Sequence, residues 1–213
     1  APSSYPTAGA NAASHTIDLN FLLGSQIDSE ADGQPSVGAD GDDLNALDDE
    51  DGVTLLADSL IPGLSVELEV VGPEGGILDA WVDFNIDGDW SDPNEHAIDG
   101  AVLGASPTTL QFLVPSTAVA GTSYIRFRLS RQGTGVPGGF GGPGEVEDYT
   151  VDIESVGLAV DKTATPAGVP EPGGNVDFGV SVQNTGSVTV TLTTLDDSLY
   201  GNLDGQGCEL PQT

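Results

Sequence analysis

The chain has 213 residues and sets 34 Asp and Glu against four Lys and Arg, for a formal charge of −30. A surface this negative repels nucleic-acid phosphates and anionic lipid heads, so neither is an expected partner. Hydrophobic residues make up 38% of the chain, which suits one or two modest domains, and no run of about 18 apolar residues offers a membrane span.

Methionine is absent and Cys208 is the single cysteine. The missing initiator fits a processed chain exported with its leader removed. A lone cysteine is either free or waiting for a partner from elsewhere.

Helical periodicity is hard to find. Short alternating runs separated by Gly, Pro, Asn and Asp predict an all-β protein, a β-sandwich of jelly-roll or immunoglobulin-like type with long acidic loops. Residues 24–52 come first and are polar and acidic, with acids clustered beside turn formers: Ala31-Asp32-Gly33, Ala39-Asp40-Gly41-Asp42-Asp43, Asp48-Asp49-Glu50-Asp51-Gly52. A disordered linker and a metal-ordered loop both fit that composition. On the second reading Glu30, Asp32, Asp40, Asp42, Asp43, Asp48, Asp49 and Asp51 are candidate ligands.

Residues 64–70 place Leu64, Val66, Leu68 and Val70 on one face, with Ser65, Glu67 and Glu69 on the other. Residues 78–84 do the same with Leu78, Ala80, Val82 and Phe84. Ile125, Phe127 and Leu129 alternate with Tyr124, Arg126 and Arg128, and Tyr149, Val151 and Ile153 alternate with Thr150, Asp152 and Glu154. Each run predicts a strand with one buried face. Residues 133–144, rich in Gly and Pro, are expected to form a mobile loop. The expected division into domains is 1–155 and 156–213, the second a partial immunoglobulin-like sandwich with strands over 158–163, 175–184 and 187–195. A stiff connection with three prolines joins the first two of these.

The segment 83–95 carries the strongest chemical signal. Asp83, Asn85, Asp87 and Asp89 recur at alternate positions with Gly88 at the sharp turn, the spacing with which a loop wraps a hard cation such as calcium. It departs from an EF-hand because a strand enters it and because Asn94 occupies position twelve, with Glu95 one residue later. The closing ligand is Glu95, Asp92 or neither. The competing reading is an Asp/Asn/Gly turn held by side-chain-to-backbone hydrogen bonds. Trp81 and Trp90 either pack against this loop or stack on sugar. Glu147 and Asp148 either reach a metal held by an earlier loop or pair with Arg126 and Arg128.

Catalysis finds little support. His15 and His96 are far apart and lie in no recognisable motif, two His and one Cys do not suit zinc, and the Gly-rich stretch lacks the Lys and following helix of a phosphate cradle.

Gly144-Glu145-Val146-Glu147-Asp148-Tyr149 leading into a strand resembles the motif of the GEVED domain of bacterial surface proteins. His15-Thr16, residues 28–36, 39–43, 48–53, 80–90 and 120–130 resemble that family in the right order, so the likeness covers about 1–154. It implies a secreted β-sandwich module without established enzymatic activity. Val160-Asp161-Lys162-Thr163-Ala164 and Val182-Gln183-Asn184-Thr185-Gly186, with residues 195–200 and Cys208, resemble the immunoglobulin-like repeats of such proteins, in which a second cysteine downstream pairs with the first. The expected function is therefore a calcium-stabilised structural module of a surface, matrix or filament protein. The alternative is a calcium-dependent carbohydrate-binding or adhesion module. Expected partners are neighbouring copies or other surface-protein domains, joined by strand donation with residues 1–14 as a donor, or a glycan.

Overall fold

The computed structural model describes residues 1–27, 29, 33–41 and 49–213. The ligand expectations at Glu30, Asp32, Asp42, Asp43 and Asp48 lie outside the described residues. The protein is all-β, with no helix among those described, and it forms two compact units, Ala1–Glu154 and Ser155–Thr213.

The first unit contains β1 (Ser14–Thr16), β2 (Val53–Leu55), β3 (Ser65–Val70), β4 (Ile77–Val82), β5 (His96–Val102), β6 (Thr108–Leu113), β7 (Gly121–Ser130) and β8 (Phe140–Ile153). A five-stranded sheet in the order β1-β8-β7-β4-β5 faces a three-stranded sheet in the order β2-β3-β6. The alternation of apolar residues explains the core between them. Val66, Leu68 and Val70 of β3 meet Leu78, Ala80 and Val82 of β4, Ile125, Phe127 and Leu129 of β7, and Val151 and Ile153 of β8. Full burial of each large side chain contributes about 1.5–3 kcal/mol. Leu64 departs from the expected face and is 54% exposed, because it ends a tight turn, donating its N–H to Ile61 O, before β3 begins.

The outer face of the five-stranded sheet is covered as well. Asp79, Trp81 and Asp83 around β4, and Arg126 and Arg128 on β7, are all buried. The amino-terminal segment lies over them: Ala1, Tyr5, Trp81 and Trp90 form a second apolar cluster, and β1 pairs parallel with β8. Residues 1–14 thus pack on their own sheet in this chain. Residues 133–144 also differ from a mobile loop. From Phe140 they belong to β8, and the carbonyls of Val136, Pro137, Gly138 and Gly139 accept hydrogen bonds from the two buried arginines.

In the second unit β9 (Leu158–Thr165) pairs antiparallel with β10 (Asp177–Asn184), and β11 (Asp196–Asp197) with β12 (Gly201–Asn202). Residues 187–195 form no strand; Leu192 makes one isolated bridge to Gln212. No side chain of this unit is buried, and Leu158, Val160, Phe178, Leu199 and Tyr200 stay exposed. Two short ladders cannot enclose a core. Cys208 is a free thiol.

Candidate metal-binding loop and its neighbours

The loop at residues 83–95 leaves the end of β4 and returns into β5. Alternation along β4 points Leu78, Ala80 and Val82 into the core and turns Asp79, Trp81 and Asp83 outward. Asp83 is fully buried and organises the turn: its Oδ2 accepts from Tyr5 OH at 2.6 Å and Gly88 N at 2.9 Å, and its Oδ1 from Asp87 N at 3.3 Å. Burial, followed by the Asp83 carboxylate, pushes the Tyr5 hydroxyl well above its usual range. Gly88 sits at φ +95°, and Asn94 and Ile86 at +77° and +57°. For a β-branched residue such as Ile86 that region is strained by about 1–3 kcal/mol.

Four more acidic groups surround this turn. Oxygens of Asp87, Asp89 and Asp92 lie within 4.8 Å of one another, all on exposed residues. Asn85 Nδ2 donates to Asp87 at 3.1 Å and to Asp92 at 2.8 Å. Glu95 closes the loop from beneath and is 2% exposed. Its Oε2 accepts from Asp92 N at 3.1 Å, while its Oε1 has no hydrogen-bond donor among the described residues. Burial raises the Glu95 carboxyl to about 7, and the nearby Asp83, Asp92 and Asp87 add to that rise. Such a set of converging, mutually repelling oxygens suits a hard divalent cation. Of the expected ligands, the structure brings oxygens of Asp87 and Asp89 together with Asp92, one of the two candidates for the closing position, with Asp83, Asn85 and Glu95 in the same loop. Asp40 stands apart, held in a local turn in which Ser36 Oγ donates to its carboxylate at 2.8 Å.

A second group of carboxylates lies on the core face of β8. Glu145 pairs across from Leu129 and Glu147 from Phe127, so both share the phase of Tyr149, Val151 and Ile153 and are buried. Glu145 Oε2 accepts from Leu23 N at 2.5 Å. Glu147 accepts from Gly52 N at 2.9 Å and Tyr149 OH at 3.0 Å. Burial first, with the charges of Asp49 and Asp51 adding to it, lifts Glu145 to about 9 and Glu147 to about 8. Asp51 in turn accepts from Ser25 N at 3.0 Å and Ser25 Oγ at 2.6 Å.

Both groups fall in one stretch of chain that matches a domain family. Residues 77–152 match the GEVED domain. GEVED is a domain of bacterial surface proteins, and the matched span contains the loop at 83–95 and the Gly144–Asp148 motif together. No curated protein matches the chain. No helix among the described residues is long and apolar enough to cross a membrane.

The acids of the GEVED motif divide by parity. Glu145 and Glu147 point into the sandwich. Asp148 points outward and takes a bidentate pair from Arg126, Nε to Oδ1 and Nη2 to Oδ2, both at 2.7 Å. Although burial opposes it, the Arg126 guanidinium holds the Asp148 carboxyl below its usual range. The two alternatives for Glu147 and Asp148 thus resolve differently: Asp148 pairs with arginine, and Glu147 does not. Trp90 lies under the Arg126 guanidinium at 4.6 Å and donates from Nε1 to Tyr124 O at 3.2 Å. With Trp81 2% and Trp90 3% exposed, neither ring presents a face to a sugar.

The histidines have partners inside the first unit. His96 Nε2 lies 3.0 Å from Asp79 Oδ1 and stacks on Trp81. Asp79, His96 and Asp99 could also hold an ion, but Asp79 already accepts from Gly100 N and Thr134 N, which makes it the tie between two loops. His15 Nε2 accepts from Arg128 Nε at 3.2 Å. Sequence reasoning missed this buried outer face, the inward glutamates and the role of Asp79. For the glutamates a signal existed, because the apolar phase of β8 runs back unbroken from Ile153 to Glu145.

Proposed function

We propose that the first unit is a non-enzymatic structural module of an extracellular bacterial surface, matrix or filament protein, and that calcium held by residues 83–95 stabilises it. One observation carries the reading. The buried Glu95 Oε1 has no donor among the described residues, and it sits within the electrostatic reach of Asp83, Asp87 and Asp92. A carboxylate oxygen buried without a donor is costly, whereas a calcium ion coordinates several such oxygens at once. Surface-protein membership of the GEVED family supports the setting.

The mechanism is linkage. An ion that binds the folded loop and not the unfolded chain adds RT ln(1 + [L]/Kd), about 2.7 kcal/mol at a concentration of 100 Kd. Thermal unfolding of the full chain in calcium, magnesium and chelator tests this. A rise in Tm of several degrees that is specific to calcium and lost in Asp87→Ala is expected. An identical Tm in calcium and chelator would refute the reading and leave the loop an ordinary acidic turn.

A further inference from the structure

The inward half of the GEVED motif is chemically unfinished. Glu145 is 4% exposed. One of its oxygens takes Leu23 N, and the other, Oε1, has no hydrogen-bond donor among the described residues. Of the four Lys and Arg in the chain, Arg126 and Arg128 project from β7 on the face opposite to Glu145 and Glu147, because they pair with Asp148 and Val146. The charges that bear on Glu145 are those of Glu147, Asp49 and Asp51, all negative.

The backbone around these acids is drawn in tightly. Gly52 N donates to Glu147 Oε1, and Val71 N donates to Gly52 O while Gly24 N donates to Val71 O, each at 2.8 Å. A side chain at Gly52 would place its Cβ 2.4 Å from Leu23 Cβ and 2.8 Å from Glu147 Oε1. Asp51 grips Ser25 on the same two strips of chain. Residues 51–52 and residues 23–25 therefore converge on β8 where the buried glutamates stand.

We propose that Glu145, Glu147, Asp49 and Asp51 form a second cation site, taking a hard divalent ion of the calcium class and stapling both segments to the GEVED strand. The chemistry is acceptor-only: an ionised carboxylate offers lone pairs and no donor, and the buried Glu145 Oε1 has no hydrogen-bond donor among the described residues. A calcium ion takes six to eight such oxygens with flexible geometry, and it would compensate the like charges that bear on the buried Glu145. This site is independent of the loop at 83–95. Register places it beside Leu129 on the inner face of the sheet, whereas Asp83 N bonds to Tyr124 O at the other end of the same strand, roughly 15 Å along it at about 3.3 Å per residue.

Equilibrium dialysis of the full chain against calcium alone separates the two sites. The wild type is expected to bind one ion more than Glu145→Gln, and Asp87→Asn/Asp92→Asn is expected to keep that ion. Asp51→Asn, at an exposed position, carries the test should the buried substitution not fold; its affinity for this ion is expected to fall at least about tenfold. A second signature is a reversal of order. At a pH above 9, where Glu145 is ionised without an ion, Glu145→Gln should unfold at a higher temperature than the wild type in chelator, where it relieves repulsion, and at a lower one in calcium. Should Glu145→Gln and Asp51→Asn bind as much calcium as the wild type, with unchanged affinity, the site does not exist. An ion lost only with Asp87 and Asp92 overturns it equally. One lost only with Glu145 or Asp51 upholds it and removes the proposal for the loop at 83–95 instead.

Discussion

Replacing Arg126 by Met tests whether the covered outer face is integral to the fold. Arg126 is 1% exposed and makes four hydrogen bonds, two to Asp148 at 2.7 Å and one each to Pro6 O at 2.8 Å and Pro137 O at 2.9 Å. Methionine fills much of the same volume and supplies none of them. The Asp148 carboxylate would keep the nitrogen of Ala1 at 2.9 Å but lose its main counter-charge while still buried. Removing one member of a buried pair costs about 3–5 kcal/mol, chiefly because the survivor is stranded. The orphaned carbonyls add to this only where water cannot reach them.

A loss of about 4 kcal/mol in a unit of this size lowers Tm by about 8–16 °C, and urea unfolding should show it as a shift in midpoint at constant m-value. Adding Asp148→Asn to Arg126→Met removes the stranded charge, so the double variant should recover about 2 kcal/mol rather than lose more. Near-ultraviolet circular dichroism should change in the single variant, since Trp90 loses the guanidinium packed against it. If Arg126→Met costs less than about 1 kcal/mol, or if the two substitutions add, the outer face is an ordinary solvated surface and the reasoning fails.

Two further outcomes follow from single contacts. Burial and the adjacent Arg128 lower His15 to about 4 from its ordinary 6.5. The stability this contributes is present above pH 6.5 and lost as pH falls toward 4, about 3 kcal/mol in all; the difference in unfolding free energy between wild type and His15→Gln across pH 7.5 to 4 isolates it from the carboxylates. Gly52→Ala, whose Cβ would meet Leu23 Cβ at 2.4 Å, should cost at least about 1–3 kcal/mol by overpacking, measured by urea unfolding in chelator.

The inner half of the sandwich was legible because burial on one face leaves a period of two. Val66, Leu68 and Val70, then Ile125, Phe127 and Leu129, announce strands by that period alone. The outer half hid behind the same pattern. Asp79, Asp83, Arg126 and Arg128 occupy the positions of a solvated face, and what buries them is an irregular amino-terminal segment with no period of its own. The loop at 83–95 was legible for the opposite reason: its ligands are local, so their spacing survives in one dimension. Glu145 and Glu147 lie far in sequence from Asp49 and Asp51, and no local spacing records that the fold brings their charges together.

The division of the GEVED motif suggests why acids recur in it on both phases. Asp148, facing outward, is answered within the protein by Arg126. Glu145 and Glu147, facing inward, are answered by backbone N–H groups and Tyr149 OH, which solvate a carboxylate in part but do not balance its charge. Were these side chains required only to fill space beneath Leu23 and Val53, leucine or methionine would do so without the desolvation penalty that lifts both carboxyls above neutrality. Two ionisable groups retained there are what the proposed cation site accounts for, since an ion would supply the positive charge that backbone N–H groups do not. Arg126 and Arg128 pair on the other face of the sheet and do not supply it.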